Sequence, residues 1–185
     1  MLVLSDSKNS SFDCSKFKAP VVAFRENLFL LRDLEEHKES IKSSDIVLIS
    51  AGVNDMRKNG VNARILHDHV RNFVAQYPKT QFLFDSVTNV TMNADPYNAL
   101  NPNINFFNRL MFKCSLRHAN IHLFDNLAFG WGHLARDGLH FNYSGQKVTS
   151  DTWVHVVLVC LGLRRGPLPL RYDFVKLHEE FQSWK

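Results

Sequence analysis

A short apolar run followed by a polar loop decides the fold of this chain: residues 44–55 are Ser-Asp-Ile-Val-Leu-Ile-Ser-Ala-Gly-Val-Asn-Asp. The four apolar residues from Ile46 to Ile49 are typical of a strand that is buried on both faces of a sheet. Such strands occur in parallel sheets that carry helices on each side. The residues from Gly52 to Asp55 then leave the core, and they are candidates for a functional loop.

Comparable apolar runs recur along the chain and alternate with stretches of helical periodicity. This alternation predicts a three-layer α/β/α fold with a five-stranded parallel sheet, of the flavodoxin-like type. In such sheets, ligands bind beyond the carboxyl ends of the strands. One helix is predicted to be amphipathic, with Ile65, His69, Val70, Phe73 and Val74 on one face, and to end before Pro78. We predict strands at 2–4, 21–24, 46–49, 81–84 and 121–124, and helices at 28–43, around 65–74, at 104–116 and at 143–161.

The composition is that of an ordinary globular domain. The chain has 185 residues, of which 45% are hydrophobic and 22% are charged, and a chain of this length can bury a substantial core. It has 22 Lys and Arg against 18 Asp and Glu, a net charge of +4, which is too small to indicate nucleic-acid binding by itself. No apolar run reaches the roughly 18 residues that a membrane-spanning helix needs.

The cysteines and the N-terminus predict an intracellular, cytoplasmic location. The apolar run at Met1–Leu4 is too short for a secretory signal. Cys14, Cys114 and Cys160 are odd in number and far apart, so they do not form a disulfide framework. Unpaired thiols suit a reducing compartment.

The chain divides into a domain and a tail. Residues 1–162 are predicted to form one domain, because they contain no repeat, low-complexity tract or linker. Residues 163–185 form a C-terminal tail in which the Gly and Pro residues of 164–169 interrupt regular structure. A short amphipathic helix is predicted from Tyr172 to Trp184 and is expected to pack on the domain. A surface for another chain is the alternative.

Three polar groups follow predicted strands and should meet at one edge of the sheet: Ser5-Asp6-Ser7, Gly52-Val53-Asn54-Asp55 and Asp137-Gly138-Leu139-His140. A serine hydroxyl needs a neighbouring base, and histidine has a suitable pKa. An Asp three residues before the His can hold its ring in one tautomer. An Asn amide can donate a hydrogen bond to an oxyanion. Together the three groups favour nucleophilic catalysis by serine.

These three groups resemble the sequence blocks of the SGNH (GDSL-type) hydrolase superfamily. Its Gly-Asp-Ser, Gly-x-Asn-Asp and Asp-x-x-His blocks correspond, in the same order, to 5–7, 52–55 and 137–140, and the resemblance covers 2–161. It implies a serine esterase in which Ser7 is the nucleophile. The other implied roles are His140 as base, Asp137 as its orienting partner, Asn54 and the Ser7 backbone N–H as the oxyanion hole, and Gly52 and Asp55 as supporting residues.

A longer run extends the resemblance at the last block. Residues 136–142, Arg-Asp-Gly-Leu-His-Phe-Asn, with Gly145 following, are similar to esterase-like domains in first-open-reading-frame proteins of some LINE retrotransposons. This similarity implies a retroelement context.

Two departures from the family pattern bear on activity. Ser5 replaces the glycine of the first block, and the second block has no glycine in Phe24-Arg25-Glu26-Asn27. The family's second glycine presents a backbone N–H to the oxyanion. The loss of one oxyanion donor costs on the order of 10²–10³ in rate, whereas loss of the serine or histidine costs far more. A weakened esterase is therefore expected rather than an inactive one.

The sequence leaves two functions open. The first is a serine esterase that hydrolyses short, acetyl-like esters of small substrates through an acyl-enzyme, with no metal or organic cofactor. The alternative is an interaction module with the same fold and little or no catalysis, in a retroelement ribonucleoprotein where nucleic acid is an indirect partner.

Each motif also has an ordinary structural explanation. Ser7 suits a helix N-cap, Asn54-Asp55 suits a loop, and Asp137-Gly138 suits a turn. The order of the three motifs and their places after strands favour the catalytic interpretation. His67 and His69 point about 200° apart on a helix, so they do not form a shared metal face.

Overall fold

Five parallel strands form the centre of the protein, as the sequence predicts. The structure, a computed structural model, describes residues 1–6, 12–17, 21–91, 99–126 and 131–169. Its strand order is β2-β1-β3-β4-β5, and every pair of neighbouring strands is parallel. The strands are β1 (Leu2–Ser5), β2 (Phe24–Asn27), β3 (Ile46–Ser50), β4 (Gln81–Asp85) and β5 (Ile121–Phe124).

Helices cover both faces of the sheet, which confirms the predicted α/β class. The α-helices are α1 (Lys38–Lys42), α2 (Val53–Asn59), α3 (Ala63–Val74), α4 (Leu100–Ser115) and α5 (Tyr143–Cys160). Three short 3₁₀ helices accompany them at Cys14–Lys16, Leu31–His37 and Trp131–His133.

Alternation along each strand divides the apolar residues between two cores, because successive side chains point to opposite faces of a sheet. One core lies under α3 and α4, and the other lies under α5. On β3, for example, Val47 and Ile49 belong to the first core, and Ile46 and Leu48 belong to the second. The sheet is therefore buried on both sides, as the uninterrupted apolar runs predict.

The winding of the chain fixes where a ligand can bind. From β1 the chain goes to β2 on one side, and β3 then lies on the other side of β1. In sheets of this order, a crevice opens beyond the carboxyl ends of the two strands that flank this reversal. Here those strands are β1 and β3, and the residues that follow them are Asp6 and Ala51.

The second strand begins at Phe24 rather than at the predicted Val21. The apolar pair Val21-Val22 suggested the earlier position, but Val22 is 80% exposed. The strand lies at the sheet edge, where polar side chains can be accommodated. Arg25 donates a hydrogen bond to the Ser5 hydroxyl (2.8 Å), and Glu26 accepts hydrogen bonds from the next segment, so polar contacts stabilise this strand.

The segment after β2 also differs from the predicted helix at 28–43. It is a 3₁₀ helix over Leu31–His37 followed by the five-residue helix α1. Leu31 and Leu34 are buried there, as the helical spacing predicts. The hydrogen bonds of Glu26 with His37 (2.6 Å) and with Ser40 hold this segment against β2.

Helix α3 buries the predicted Val70, Phe73 and Val74, but Leu66 joins this face in place of Ile65. Ile65 is 66% exposed, whereas Leu66, Val70 and Phe73 are at most 2% exposed. Leu66, Val70 and Phe73 recur at intervals of four and three residues, which places them on one side of the helix. Ile65 precedes Leu66 by one position, about 100° around the helix, and therefore reaches solvent.

The last described residues return from α5 to the sheet. Leu168 packs against the second core, and the carbonyl of Pro169 accepts a hydrogen bond from the N–H of Asp125 (2.8 Å). The predicted helix Tyr172–Trp184 lies outside the described residues, so the division at residue 162 stays a prediction. None of the helices in the described ranges has the length and hydropathy needed to cross a bilayer.

Substitutions at two neighbouring residues can test which side of α3 packs against the core. Leu66→Ala should lower the free energy of unfolding by about 2–5 kcal/mol, because it leaves a cavity in a packed core. Ile65→Ala is the matched control and should change it by no more than about 0.5 kcal/mol. Urea unfolding of both variants measures these values. Equal effects would contradict the observed orientation of the helix.

Candidate active site

A small polar cleft lies beyond the carboxyl ends of the central strands. Its wall includes Asp6 after β1, Ser50 at the end of β3, and Asp85 at the end of β4. Val53 and Phe141 add apolar surface, and Ala51, Ser86, Val87 and Thr88 complete the lining. The cavity volume is about 20 Å³, which is room for about one water molecule. Phe141 is adjacent to His140 in the chain, and Asp6 is adjacent to Ser7.

Asp137 and His140 form a hydrogen-bonded pair just before Phe141, which lines this cleft. The Nδ1 atom of His140 lies 2.5 Å from Oδ2 of Asp137, and the side chains are 41% and 49% exposed. The hydrogen bond from His140 is the largest of the effects that lower the pKa of Asp137 to about 2. Asp137 is therefore an anionic acceptor at neutral pH, and Nδ1 carries the proton of the hydrogen bond.

The turn between Asp137 and His140 is held by backbone contacts. The other carboxylate oxygen, Oδ1 of Asp137, accepts hydrogen bonds from the N–H groups of Leu139 (2.9 Å) and His140 (3.0 Å). Gly138 has φ +69°, a left-handed conformation that side chains disfavour. One carboxylate thus orients both the imidazole and the backbone that carries it.

Residues on either side of this turn pair with each other. Leu134 and Phe141 form an antiparallel bridge, and the N–H of Ala135 donates to the His140 carbonyl (2.7 Å). The carbonyl of Gly138 accepts from the N–H of Thr91 (3.0 Å), which ties the turn to the segment after β4. The segment at 134–141, which we call the His140 loop, is therefore held at its base and at its tip.

The loop after β3 has a structural task as well as a candidate catalytic one. Gly52 has φ +127°, and a Cβ there would lie 2.9 Å from the Leu31 side chain. Asp55 is fully buried and accepts hydrogen bonds from the N–H groups of Leu31 (2.9 Å) and Arg32 (3.4 Å). Burial raises the pKa of Asp55, while these hydrogen bonds oppose the rise. Gly52 and Asp55 thus join this loop to the segment after β2.

Asn54 lies in the first turn of α2 and is 5% exposed. Its side-chain amide donates a hydrogen bond to the carbonyl of Phe29 (3.4 Å). An amide nitrogen carries two hydrogens, so this long contact orients Asn54 and leaves capacity for a second acceptor. Phe29 follows β2, the position where the family pattern leads one to expect the second-block glycine. The residues here are Leu28, Phe29 and Leu30.

Ser7, the predicted nucleophile, lies outside the described residues, so its contacts with His140 and Asn54 stay a prediction. The structure brings Asp6 and Phe141 to one cleft. It also places Asn54 on the element that follows β3. Within the described ranges, no group of three or more His, Cys, Asp and Glu residues could hold a metal ion.

A buried polar network beneath the cleft is absent from the sequence predictions. Oδ2 of Asp85 accepts hydrogen bonds from Ser50 on β3 (2.9 Å), Trp153 on α5 (3.0 Å) and Asn126 after β5 (3.3 Å). Ser86 also donates to Asp125 (2.6 Å). The only sequence signal for this network is that polar pairs, Asp85-Ser86 and Asp125-Asn126, directly follow the apolar runs of β4 and β5.

Comparison with known proteins identifies the fold. No known protein family and no curated protein matches the chain in sequence. Among solved structures, it is similar to a member of the lipolytic G-D-S-L family from Veillonella parvula, with 14% identity, a TM-score of 0.67, and coverage of 86% of this chain and 97% of that one. A lipase/acylhydrolase from Enterococcus faecalis shares 15% identity over 84% of this chain and 94% of its own, with a TM-score of 0.69.

An acetyl xylan esterase is a third similar structure, with 18% identity, a TM-score of 0.64, and coverage of 84% of this chain and 100% of that one. The domain therefore has the SGNH hydrolase fold, and the fold expectation from the sequence is confirmed.

The Asp137–His140 contact can be tested by titration. Carboxyl ¹³C NMR should give Asp137 a pKa of about 2, against 3.8 for an ordinary aspartate. Any stability that this depressed pKa contributes is present above pH 3.8 and is lost as pH falls towards 2. In His140→Ala, the pKa of Asp137 should rise towards 3.8. Glu39, whose pKa is lowered mainly by Lys42, should not change and serves as the internal control. An unshifted Asp137 in the wild-type protein would rule out the pair.

Proposed function

We propose that this protein is a serine esterase that hydrolyses short, acetyl-like esters through an acyl-enzyme. The observation that carries this proposal is the Asp137–His140 hydrogen bond, which directly precedes the cleft-lining Phe141 in the chain. An ionised carboxylate on Nδ1 leaves Nε2 as the nitrogen that exchanges protons with a substrate or a nucleophile. Ser7 directly follows Asp6, which lines the cleft. The SGNH fold of the lipolytic proteins described above supports the same chemistry.

The proposed reaction has two halves. In the first, Ser7 Oγ forms a bond to the ester carbonyl carbon while Nε2 of His140 takes the hydroxyl proton. The tetrahedral intermediate then breaks its bond to the alcohol oxygen, and His140 returns the proton to that alcohol. In the second half, His140 deprotonates a water that attacks the acyl-enzyme, and Ser7 leaves with the proton. Asp137 stabilises the imidazolium in both halves and stays ionised throughout.

Asn54 and the backbone N–H of Ser7 are the proposed donors to the oxyanion. The contact between Asn54 and the Phe29 carbonyl orients the amide before substrate binds, and a donor that is already oriented needs no reorganisation during reaction. The family pattern has a third donor, from a glycine after β2, and that glycine is missing from this sequence. We therefore expect a lower rate than that of an esterase with three donors.

The lining and the volume of the cleft favour an ester substrate with a short acyl group. Val53, Val87 and Phe141 line it with apolar surface. Asn108 is fully buried and holds Val87 in place through hydrogen bonds to its N–H (2.9 Å) and its carbonyl (2.8 Å). The free volume of about 20 Å³ suits a group near the size of a water molecule, such as the methyl group of acetate.

Substitution of the nucleophile is the direct test. Ser7→Ala should lower kcat for a short aryl ester such as 4-nitrophenyl acetate by about 10³-fold or more, because no other group forms the acyl-enzyme. Ser43→Ala removes an exposed hydroxyl that bonds only to a nearby backbone carbonyl and should retain wild-type activity. Equal rates for Ser7→Ala and wild type would remove Ser7 from the proposed role.

The oxyanion role of Asn54 predicts a different kinetic pattern. Asn54→Ala should lower kcat about 10²–10³-fold with little change in KM, because the hydrogen bond forms with charge that develops in the transition state. Steady-state kinetics on the same ester measure both constants. A rise in KM with unchanged kcat would instead indicate ground-state binding by Asn54.

The interaction-module alternative has one specific observation in its favour: no glycine follows β2, so one oxyanion donor of the family pattern is missing. Its retroelement context rests on the run at 136–142. A fluorophosphonate probe separates the two functions, because labelling at Ser7 requires an activated hydroxyl. Salt-dependent RNA binding without labelling would favour the alternative, since phosphate contacts weaken as salt rises.

A further inference from the structure

Asp85 joins three parts of the fold beneath the cleft. It is 6% exposed, and its Oδ2 atom accepts hydrogen bonds from Ser50, Trp153 and Asn126. These donors belong to β3, to α5 and to the segment after β5. A carboxyl oxygen can accept hydrogen bonds from several donors at once, so Asp85 fixes the three segments relative to one another.

A second contact between α5 and the sheet lies one helical turn before Trp153. Asn126 donates to the hydroxyl of Thr149 (2.9 Å), and Thr149 also lies 2.8 Å from the carbonyl of Gly145 in the same helix. Thr149 and Trp153 are four residues apart and share the buried face of α5, where they are 1% and 0% exposed. The middle of α5 is therefore attached to Asp85 and Asn126, which lie at the end of β4 and just after β5.

The N-terminal end of α5 is joined directly to the His140 loop. Asn142 caps the helix by accepting from the N–H of Gly145 (3.0 Å). Its amide also donates to the carbonyls of Gly132 (2.6 Å) and Leu134 (3.2 Å). The contact between helix and loop is tight, because a Cβ on Gly145 would lie 2.3 Å from the His133 carbonyl oxygen. A displacement of α5 would therefore move the His140 loop with it.

The energetics favour a geometric role over a stabilising one. The net gain in stability from a buried hydrogen bond is modest, because donor and acceptor each give up a bond to water on folding. A carboxylate beneath the cleft is therefore weak as a source of stability. It is effective as a fixed acceptor, because its donors come from segments that would otherwise slide over apolar surface.

We propose that Asp85 is a positioning residue that locks α5, and through it the His140 loop, onto the carboxyl edge of the sheet. This inference rests on the proposed esterase function for its kinetic consequence, although the mechanical link does not depend on it. A misplacement of about 1 Å in a catalytic group can cost on the order of 10²-fold in rate. Asp85 also lines the cleft, and its proposed effect on the rate comes from the position that it gives to His140.

The experiment compares two charge-neutralising variants of nearly equal size. Asp85→Asn should lower kcat for 4-nitrophenyl acetate about 10–100-fold with KM within about twofold of wild type. Glu26→Gln is the matched control, because Glu26 is also a partly buried carboxylate with two side-chain hydrogen bonds, but it lies on the edge strand β2. It should retain wild-type kcat. An unchanged kcat in a folded Asp85→Asn protein, or a change in KM alone, would overturn the proposal.

A second variant covers the case in which Asp85→Asn fails to fold. Trp153→Phe keeps the ring packing but removes the indole N–H that bonds to Asp85. It should lower kcat about threefold to tenfold, and in combination with Asp85→Asn the two effects should not add, because they act on one contact. Full additivity, or no effect of Trp153→Phe on kcat, would contradict the link.

Amide hydrogen exchange separates this inference from the proposed function. The N–H groups of Leu139 and His140 bond to Asp137, and they should exchange at least tenfold faster in Asp85→Asn or Trp153→Phe but not in Glu26→Gln. Faster exchange in a protein that shows no esterase activity would support the positioning role and reject the esterase. Unchanged exchange together with normal esterase activity would reject the positioning role alone.

Discussion

The parallel pairing of β1 with β3 is the constraint on which the rest of the structure depends. Ser5 lies opposite Ser50 in this register, so the chain leaves both strands at the same edge and the same height. Because all five strands run in one direction, the segments after β4 and β5 emerge there too. A polar cleft beyond that edge follows from the topology, and the two apolar cores that sandwich the sheet hold the edge in place.

The candidate site combines a local unit with support from distant segments. Asp137 and His140 are three residues apart, and one carboxylate orients both the ring and its backbone. The position of that unit relative to the sheet depends on contacts across the chain, through Gly138 to Thr91 and through α5 to Asp85. The same division holds after β3, where Asn54 is oriented by Phe29.

Long apolar runs were predictable because burial on both faces leaves no choice of residue type, and β3, β4 and β5 lie within one residue of their predicted bounds. Other elements were less predictable where solvent or side-chain bonds compete with apolar periodicity. β2 lies at the edge, where Arg25 and Glu26 are stabilised by side-chain hydrogen bonds. On α3, two overlapping apolar patterns exist, and only packing against the sheet selected the one with Leu66.

By itself, the sequence determined the α/β class, the order of the elements and the Asp-x-x-His unit, because each depends on residues that are close in the chain. The tertiary structure alone decided how the remote groups meet. Trp153 bonds to Asp85 across 68 positions, and Asp55 reaches back 24 positions to Leu31. No periodicity encodes such pairs. They are set by the packing of helices and loops on the folded sheet, which brings residues that are remote in the chain within hydrogen-bonding distance.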